Sequence, residues 1–325
     1  MDFSIHISDW VLTQPFRISG FEWINSRCLV VQLGKDGAIG RGEAQGVFYL
    51  QETAESIFEQ AHSVAAEIRK GISRAQLQDL LPAGGARNAI DCALWDLECK
   101  LAGKSIWELT GIVPKPVTTV YTIGLEDSPE AMAAKAAAAV DAPILKIKMS
   151  SHMPYEKLAA IRAARPDARL VVDANQGWDF RLLKEVLPKC VDLDLAMIEQ
   201  PLPRGHDEEL EGFKSPITLA ADESCLQTAE LETAARRYDM INIKLDKTGG
   251  LTEALRLARA AKDRGLKLMV GNMVGTSLSM APSFVVAQLC DFVDIDGPLL
   301  LKYDQPHAIR YNKGVVNGFV PALWG

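Results

Sequence analysis

The stretch P143-I-L-K-I-K-M-S-S-H152 places Lys146 and Lys148 two residues apart among apolar neighbours. On a strand, residues i and i+2 share a face, so both ammonium groups project together. Lysine is rarely buried without a partner. Two on one face therefore call for acidic partners from neighbouring strands. Those strands are readable on either side. From residue 117 onward, apolar runs return at a spacing of roughly 25 residues. They are VTTVYTIGL, ILKIKM, RLVVDAN, LAMIEQP, ITLAADES, MINIKLD, LKLMVGN and FVDIDGP. Helix-like segments such as PYEKLAAIRAARPDA and TEALRLARAAKDRG separate them. Strands alternating with helices give βαβ units and a parallel sheet, and eight of them suit an α/β fold of the (β/α)8 barrel type.

The first 115 residues read differently. FSIHISDWVL, CLVVQLGKDG and AIGRGEA form an antiparallel meander. The segments 51–71 and 85–103 supply two amphipathic helices. The expected organisation is an α+β capping domain over 1–115 and a barrel over 116–305. A tail over 306–325 then returns to pack on the cap.

Bulk properties bound the function. The 325 residues are 48% hydrophobic and 24% charged, enough for a sizeable core, and the net charge of −7 excludes a nucleic-acid surface. Six cysteines form no CxxC pair and five histidines no HxxxH pair, which argues against structural zinc. The start MDFSIHISDW lacks a basic and apolar leader, so the cytoplasm is expected. The alanine-rich run near 131–145 is interrupted by Lys135 and Asp141 and suits no membrane span.

The acids fall at the strand ends. Asp173, Glu199 and Asp222 close the third, fourth and fifth runs, at the rim where barrel active sites sit. Three carboxylates converging there repel unless a cation joins them, and an all-oxygen set favours Mg2+, or Mn2+, over zinc. Lys244 ends the sixth run, across the barrel from Lys148 on the second. Desolvation and neighbouring cations are expected to lower the pKa of both lysines toward useful base strength. A divalent metal neutralising a deprotonated α-carbon, with one base on each face, gives 1,1-proton transfer: racemisation or epimerisation.

Taken together and in order, KIK, VVDAN, IEQP, ADES and NIKLDKTGG resemble the enolase superfamily, in its muconate-lactonising-type subgroup. LPAGGARNAIDCALWDLECKLAG, KLDKTGGLTEAL and DIDGP are most similar to the dipeptide epimerases of the L-Ala-D/L-Glu type. That resemblance implies a metal-dependent isomerase inverting the C-terminal residue of an L,L-dipeptide, with Lys148 and Lys244 as its bases. It further implies that Asp294 and Asp296 bind the dipeptide's ammonium group, while Lys146 tunes Lys148 and the bound carboxylate. Asn175, Glu223 and Asp246 are expected to orient the metal ligands and bases from behind. A mobile loop, PFRISGFEWINSR, sets side-chain preference in these relatives. Gly20 stands here where members selective for a C-terminal glutamate carry arginine. Phe16, Phe21, Glu22 and Trp23 suggest a hydrophobic or cationic preference, and Met273 and Thr276 of GNMVGTSLS further substrate contacts. Alternatives on the same scaffold are N-acylamino-acid racemase, o-succinylbenzoate synthase and cycloisomerase. Of another class is a non-catalytic metal-dependent binding protein. A homo-oligomer is compatible with the sequence.

Overall fold

The computed structural model describes residues 1–325. The chain opens with an antiparallel sheet, β1 (Asp2–Ile18), β2 (Phe21–Lys35) and β3 (Ala38–Ala44), in that order. Helices α1 (Ala54–Ser63), α2 (Ala65–Lys70), α3 (Arg74–Leu80), α4 (Gly85–Ala102) and α5 (Ile106–Thr110) follow. The single helix expected over 51–71 is interrupted at Val64 (φ −102°, ψ 6°), which ends α1 and starts α2. Helix α4 is not amphipathic but buried nearly all round, because it lies between the sheet and the barrel. Its backbone meets β3 at two glycines. A Cβ on Gly42 would lie 2.0 Å from the Ala89 carbonyl oxygen, and one on Gly40 2.2 Å from that of Ala93. Only glycine permits that approach.

After a short strand β4 (Val117–Thr118) comes β5 (Tyr121–Ile123), then α6 (Pro129–Ala138), β6 (Ile144–Lys148), α7 (Pro154–Ala164), β7 (Arg169–Asp173), α8 (Phe180–Asp192) and β8 (Leu195–Glu199). The second half runs β9 (Thr218–Ala221), α9 (Leu231–Arg237), β10 (Met240–Ile243), α10 (Leu245–Thr248), α11 (Leu251–Asp263), β11 (Lys267–Val270), α12 (Ser277–Ala287) and β12 (Phe292–Val293). Strands β5 to β12 form one parallel sheet in sequence order. A hydrogen bond from the Val120 amide to the Val293 carbonyl (2.9 Å) joins its two ends into a barrel. Only short 3-10 turns follow β8 and β12. Strands β13 (Tyr311–Asn312) and β14 (Val315–Val316) pair with β4, and the last residues reach α4. There the Trp324 indole donates to the Cys92 carbonyl (3.0 Å) and the Gly325 amide to Asp96 (2.8 Å).

The barrel interior explains the paired lysines. Its lower layer is apolar: Val171, Met197, Ala220, Met240, Met269 and Phe292 pack as one cluster. Two residues further along five of these six strands, on the same face, stand Asp173, Glu199, Asp222, Asn242 and Asp294, with Gly271 on the sixth. Lys146 and Lys148 occupy the equivalent inward positions on β6. Apolar packing thus fills the bottom while charge gathers at the C-terminal rim.

The cap is tied to that rim. Arg87 of α4 donates to the Thr248 carbonyl (2.7 Å), and Asp91 accepts the Thr252 amide (2.9 Å). Glu43 of β3 is fully buried and accepts from the Thr276 amide (2.7 Å) and hydroxyl (2.8 Å). Burial pushes its carboxyl from 4.5 up to about 7, against those hydrogen bonds. A carboxyl raised on folding stabilises below its unfolded pKa, and that contribution is lost as pH rises through about 7. Glu43→Gln should therefore flatten the decline in stability between pH of about 5 and 8, read by urea melts at both.

Candidate active site

Asp173 and Glu199 are the last residues of β7 and β8, and Asp222 directly follows β9. All three are fully buried, and one carboxylate oxygen from each lies within 4.8 Å of the others. On each, one oxygen is held by the protein. Asp173 Oδ1 accepts the Asn175 amide (2.9 Å), Glu199 Oε1 accepts Asn242 Nδ2 (2.6 Å) and Asp222 Oδ1 accepts Lys247 Nζ (2.7 Å). The other oxygens face ammonium groups. Lys148 Nζ sits 2.6 Å from Asp173 Oδ2, and Lys244 Nζ 2.6 Å from Asp222 Oδ2. Lys146 lies between three acids: Asp294 Oδ2 at 2.7 Å, Glu199 Oε2 at 2.8 Å and Asp173 Oδ2 at 3.2 Å. Glu199 Oε2 makes no hydrogen bond and is met only by the Lys146 charge. Converging buried carboxylates with an unsatisfied inward oxygen fit a hard divalent cation.

Burial works to raise all three carboxyl pKa values, and the outcome depends on the neighbours. The Lys148 and Lys146 ammonium groups bring Asp173 below its ordinary value, and Lys244 and Lys247 do the same for Asp222. Glu199, beside the charged Asp173, goes up to about 7. Burial, then Asp222, takes Glu223 up to about 8. The expectation of a lowered pKa is reversed for Lys244. Burial does act that way on Lys146 and Lys244, but acids outnumber cations around them and hold both above the ordinary value.

A small cavity opens above the triad, and both Lys148 and Lys244 reach its wall, with Asn175 and Glu223 beside them. Its outer wall comes from the cap. The expected mobile loop is a β-hairpin: Phe16 pairs with Trp23, Arg17 with Glu22 and Ile18 with Phe21, around a turn at Gly20 (φ 81°). Opposed residues share a face. The pleat therefore turns Phe16, Ile18 and Trp23 to the cavity and Arg17 and Glu22 away.

Several expected contacts fall elsewhere. Glu22 lies 3.7 Å from Arg17, which also reaches Asp127, so it places no charge in the cavity. Phe21, opposite Ile18 at the hairpin tip, packs on Trp23 (5.7 Å) and Phe48 (4.7 Å) but is 46% exposed and off the cavity wall. Met273 is on the wall, but Thr276 is buried as the cap of α12, its hydroxyl spent on Glu43. Asp246 bonds the Gly46 amide (2.9 Å) rather than the acids or lysines, and so fixes the cap against the sixth strand. Asp294 and Asp296 lie buried beneath the cavity wall, Asp294 on Lys146 and Asn272 and Asp296 on the Thr122 amide (2.6 Å). Burial, with Asp294 alongside, pushes Asp296 up to about 8.

Sequence reasoning missed Asn242, Lys247 and Gln200, which hold the acids, and Phe48 and Tyr49, which line the cavity. A signal existed for Lys247: a second lysine, three residues after Lys244 in the glycine-bounded NIKLDKTGG. Phe48 and Tyr49 follow β3 in a short 3-10 turn that carries no periodicity.

A capped barrel with carboxylates on three successive strands, flanked by lysines on strands across the ring, defines an enzyme of the enolase class. Residues 131–317 match the family described as Enolase C-terminal domain-like. Residues 2–111 match the Mandelate racemase / muconate lactonizing enzyme N-terminal domain. The chain belongs to the enolase superfamily, in the mandelate racemase/muconate lactonizing enzyme family. It is 41% identical to the L-Ala-D/L-Glu epimerase of Escherichia coli K12 over 94% of this chain and 96% of that one. An enolase family member from Agrobacterium tumefaciens with homology to dipeptide epimerases, bound to sodium and L-Ala-L-Glu, superposes with a TM-score of 0.96. It is 40% identical over 99% of both chains. The dipeptide epimerase of Enterococcus faecalis, complexed with Mg and L-Leu-L-Tyr, gives 0.92 at 26% identity over 99% and 98%.

Proposed function

We propose that the chain is a dipeptide epimerase, inverting the α-carbon of the C-terminal residue of an L,L-dipeptide by 1,1-proton transfer. One observation carries the reading: Lys148 and Lys244, on the second and sixth of eight barrel strands, reach one cavity with the acidic triad beneath. One amine removes the α-proton and the other returns a proton to the opposite face, which inverts the centre. Asp173, Glu199 and Asp222 would hold Mg2+, with Mn2+ as a substitute. Such an ion supplies the positive charge that a carbanion next to a carboxylate requires. A bound cation would also offset the Asp222 charge that, against burial, holds the Lys244 pKa up. Lys146 keeps a fixed positive charge among Asp173, Glu199 and Asp294. Asn175 and Glu223 face the substrate from the rim, and Asp294 with Asp296 forms the acidic end that a dipeptide ammonium group would seek. We place this activity in the cytoplasm, where the six free cysteines, five of them buried, stay reduced. No helix is long and apolar enough to cross a membrane.

The cavity wall further supports a hydrophobic side chain at the inverted residue. It carries Phe16, Ile18, Trp23 and Phe48 and no arginine. Glutamate is the second reading, favoured by the similarity to the Escherichia coli L-Ala-D/L-Glu epimerase and by the dipeptide in the Agrobacterium structure. Incubating L,L-dipeptide libraries in D2O and reading deuterium uptake by mass spectrometry separates the two. Ala-Leu or Ala-Phe should exchange faster than Ala-Glu, and the reverse order establishes glutamate. N-acylamino acids exchanging in place of dipeptides would point to a racemase. No exchange with any of these would leave a binding role. Asp296→Asn should stop dipeptide turnover, and unchanged rates would remove Asp296 from ammonium recognition.

A further inference from the structure

The three acids are constrained more tightly than a simple trio of ligands needs to be. Each has one oxygen already engaged from behind, by the Asn175 amide, Asn242 Nδ2 and Lys247 Nζ respectively. Each has a second oxygen turned inward. We propose that these anchors limit every carboxylate to one oxygen for a bound ion, and that Asn242 and Lys247 thereby make the site select Mg2+ over Ca2+. The inference rests on the metal reading above and deepens it.

Neither anchor can swing aside. Lys247 is fully buried, and its ammonium group has four oxygens around it: Asp222 Oδ1 (2.7 Å) and the carbonyls of Asp222 (2.6 Å), Asn242 (2.6 Å) and Cys225 (3.1 Å). Releasing Asp222 Oδ1 would strip a buried cation of its only carboxylate partner, a costly state. Asn242 is wedged against Gly271, where a Cβ would come within 2.6 Å of its Oδ1. Gln200 adds a third restraint, because its Oε1 accepts the Asp222 amide (2.9 Å).

Ion chemistry converts denticity into selectivity. Ca2+ takes six to eight oxygens at longer distances and is well served by bidentate carboxylates, whereas Mg2+ requires six in near-octahedral geometry. Three single oxygens meet half of the Mg2+ requirement and leave the rest to substrate and water. For Ca2+, the same site is short of ligands unless Glu199 or Asp222 gives up its anchor.

Isothermal titration of the full chain with Mg2+ and with Ca2+, without substrate, tests this. The wild type should bind Mg2+ more tightly. Asn242→Leu and Lys247→Met, which free Glu199 Oε1 and Asp222 Oδ1, should each shift the Mg2+-to-Ca2+ affinity ratio toward Ca2+ by about tenfold. A merely structural role would weaken both ions alike, and an unchanged ratio overturns the proposal. So does a wild type that prefers Ca2+. A wild type that binds neither ion refutes the metal reading itself, a separate result. If Lys247→Met does not fold, Asn242→Leu, which removes a single side-chain hydrogen bond, decides alone.

Discussion

Replacing Lys244 with alanine stops epimerisation, with kcat falling about 10³-fold or more, and Lys148→Ala does the same. The two variants differ in what survives. With one amine left, an α-hydrogen is still exposed to a base on one face only. Each variant should therefore exchange the α-hydrogen of one epimer with D2O and leave the other untouched, with the preference reversed between them. The triad itself outlasts either change. Without Lys244, Asp222 keeps Lys247 at 2.7 Å, and without Lys148, Asp173 keeps Lys146 at 3.2 Å. Mg2+ affinity measured beside turnover then separates lost chemistry from a lost site. Exchange of both stereoisomers by either variant would mean that one lysine serves both faces, or neither.

Removing the cation has an effect of similar size. After chelation, turnover should fall to background and return on adding Mg2+. Glu199→Gln should stay inactive, since it keeps the shape and the Asn242 contact but cancels a charge the ion needs. Stability offers an independent reading. A ligand at about 100 times its Kd adds about 2.7 kcal/mol to the folded state, so Mg2+ should raise the melting temperature of the wild type. Glu199→Gln should show no such rise. Full turnover in thoroughly chelated protein would end the metal reading.

The barrel and its chemistry were legible because they sit on strands of fixed period. Asp173, Glu199 and Asp222 each end an apolar run, and alternation alone turns Lys146 and Lys148 inward. What escaped depends on contacts distant in sequence. Thr276 reads as a rim residue until Glu43, 233 positions away, claims its hydroxyl. Asp246 reads as a site acid until Gly46 meets it across the domain junction. For Glu22, composition suggested a wall, but hairpin register turns it outward with Arg17; Phe21 shares the face of Ile18 and Trp23 yet sits at the hairpin tip, where it stays half exposed. The Lys244 pKa rises rather than falls because Asp222, 22 positions back in the chain, outweighs both burial and the charge on Lys146.

Glycines 40 and 42 fix the height at which the cap sheet rests on α4, and β2, which pairs with β3 there, runs on to form the hairpin over the cavity. On the proposed function, catalytic machinery and selectivity would therefore be housed in separate pieces of chain, joined by a rigid foundation. Evolution can retailor diet by rewriting a few neighbouring codons between Phe16 and Trp23, without touching a single group that handles protons.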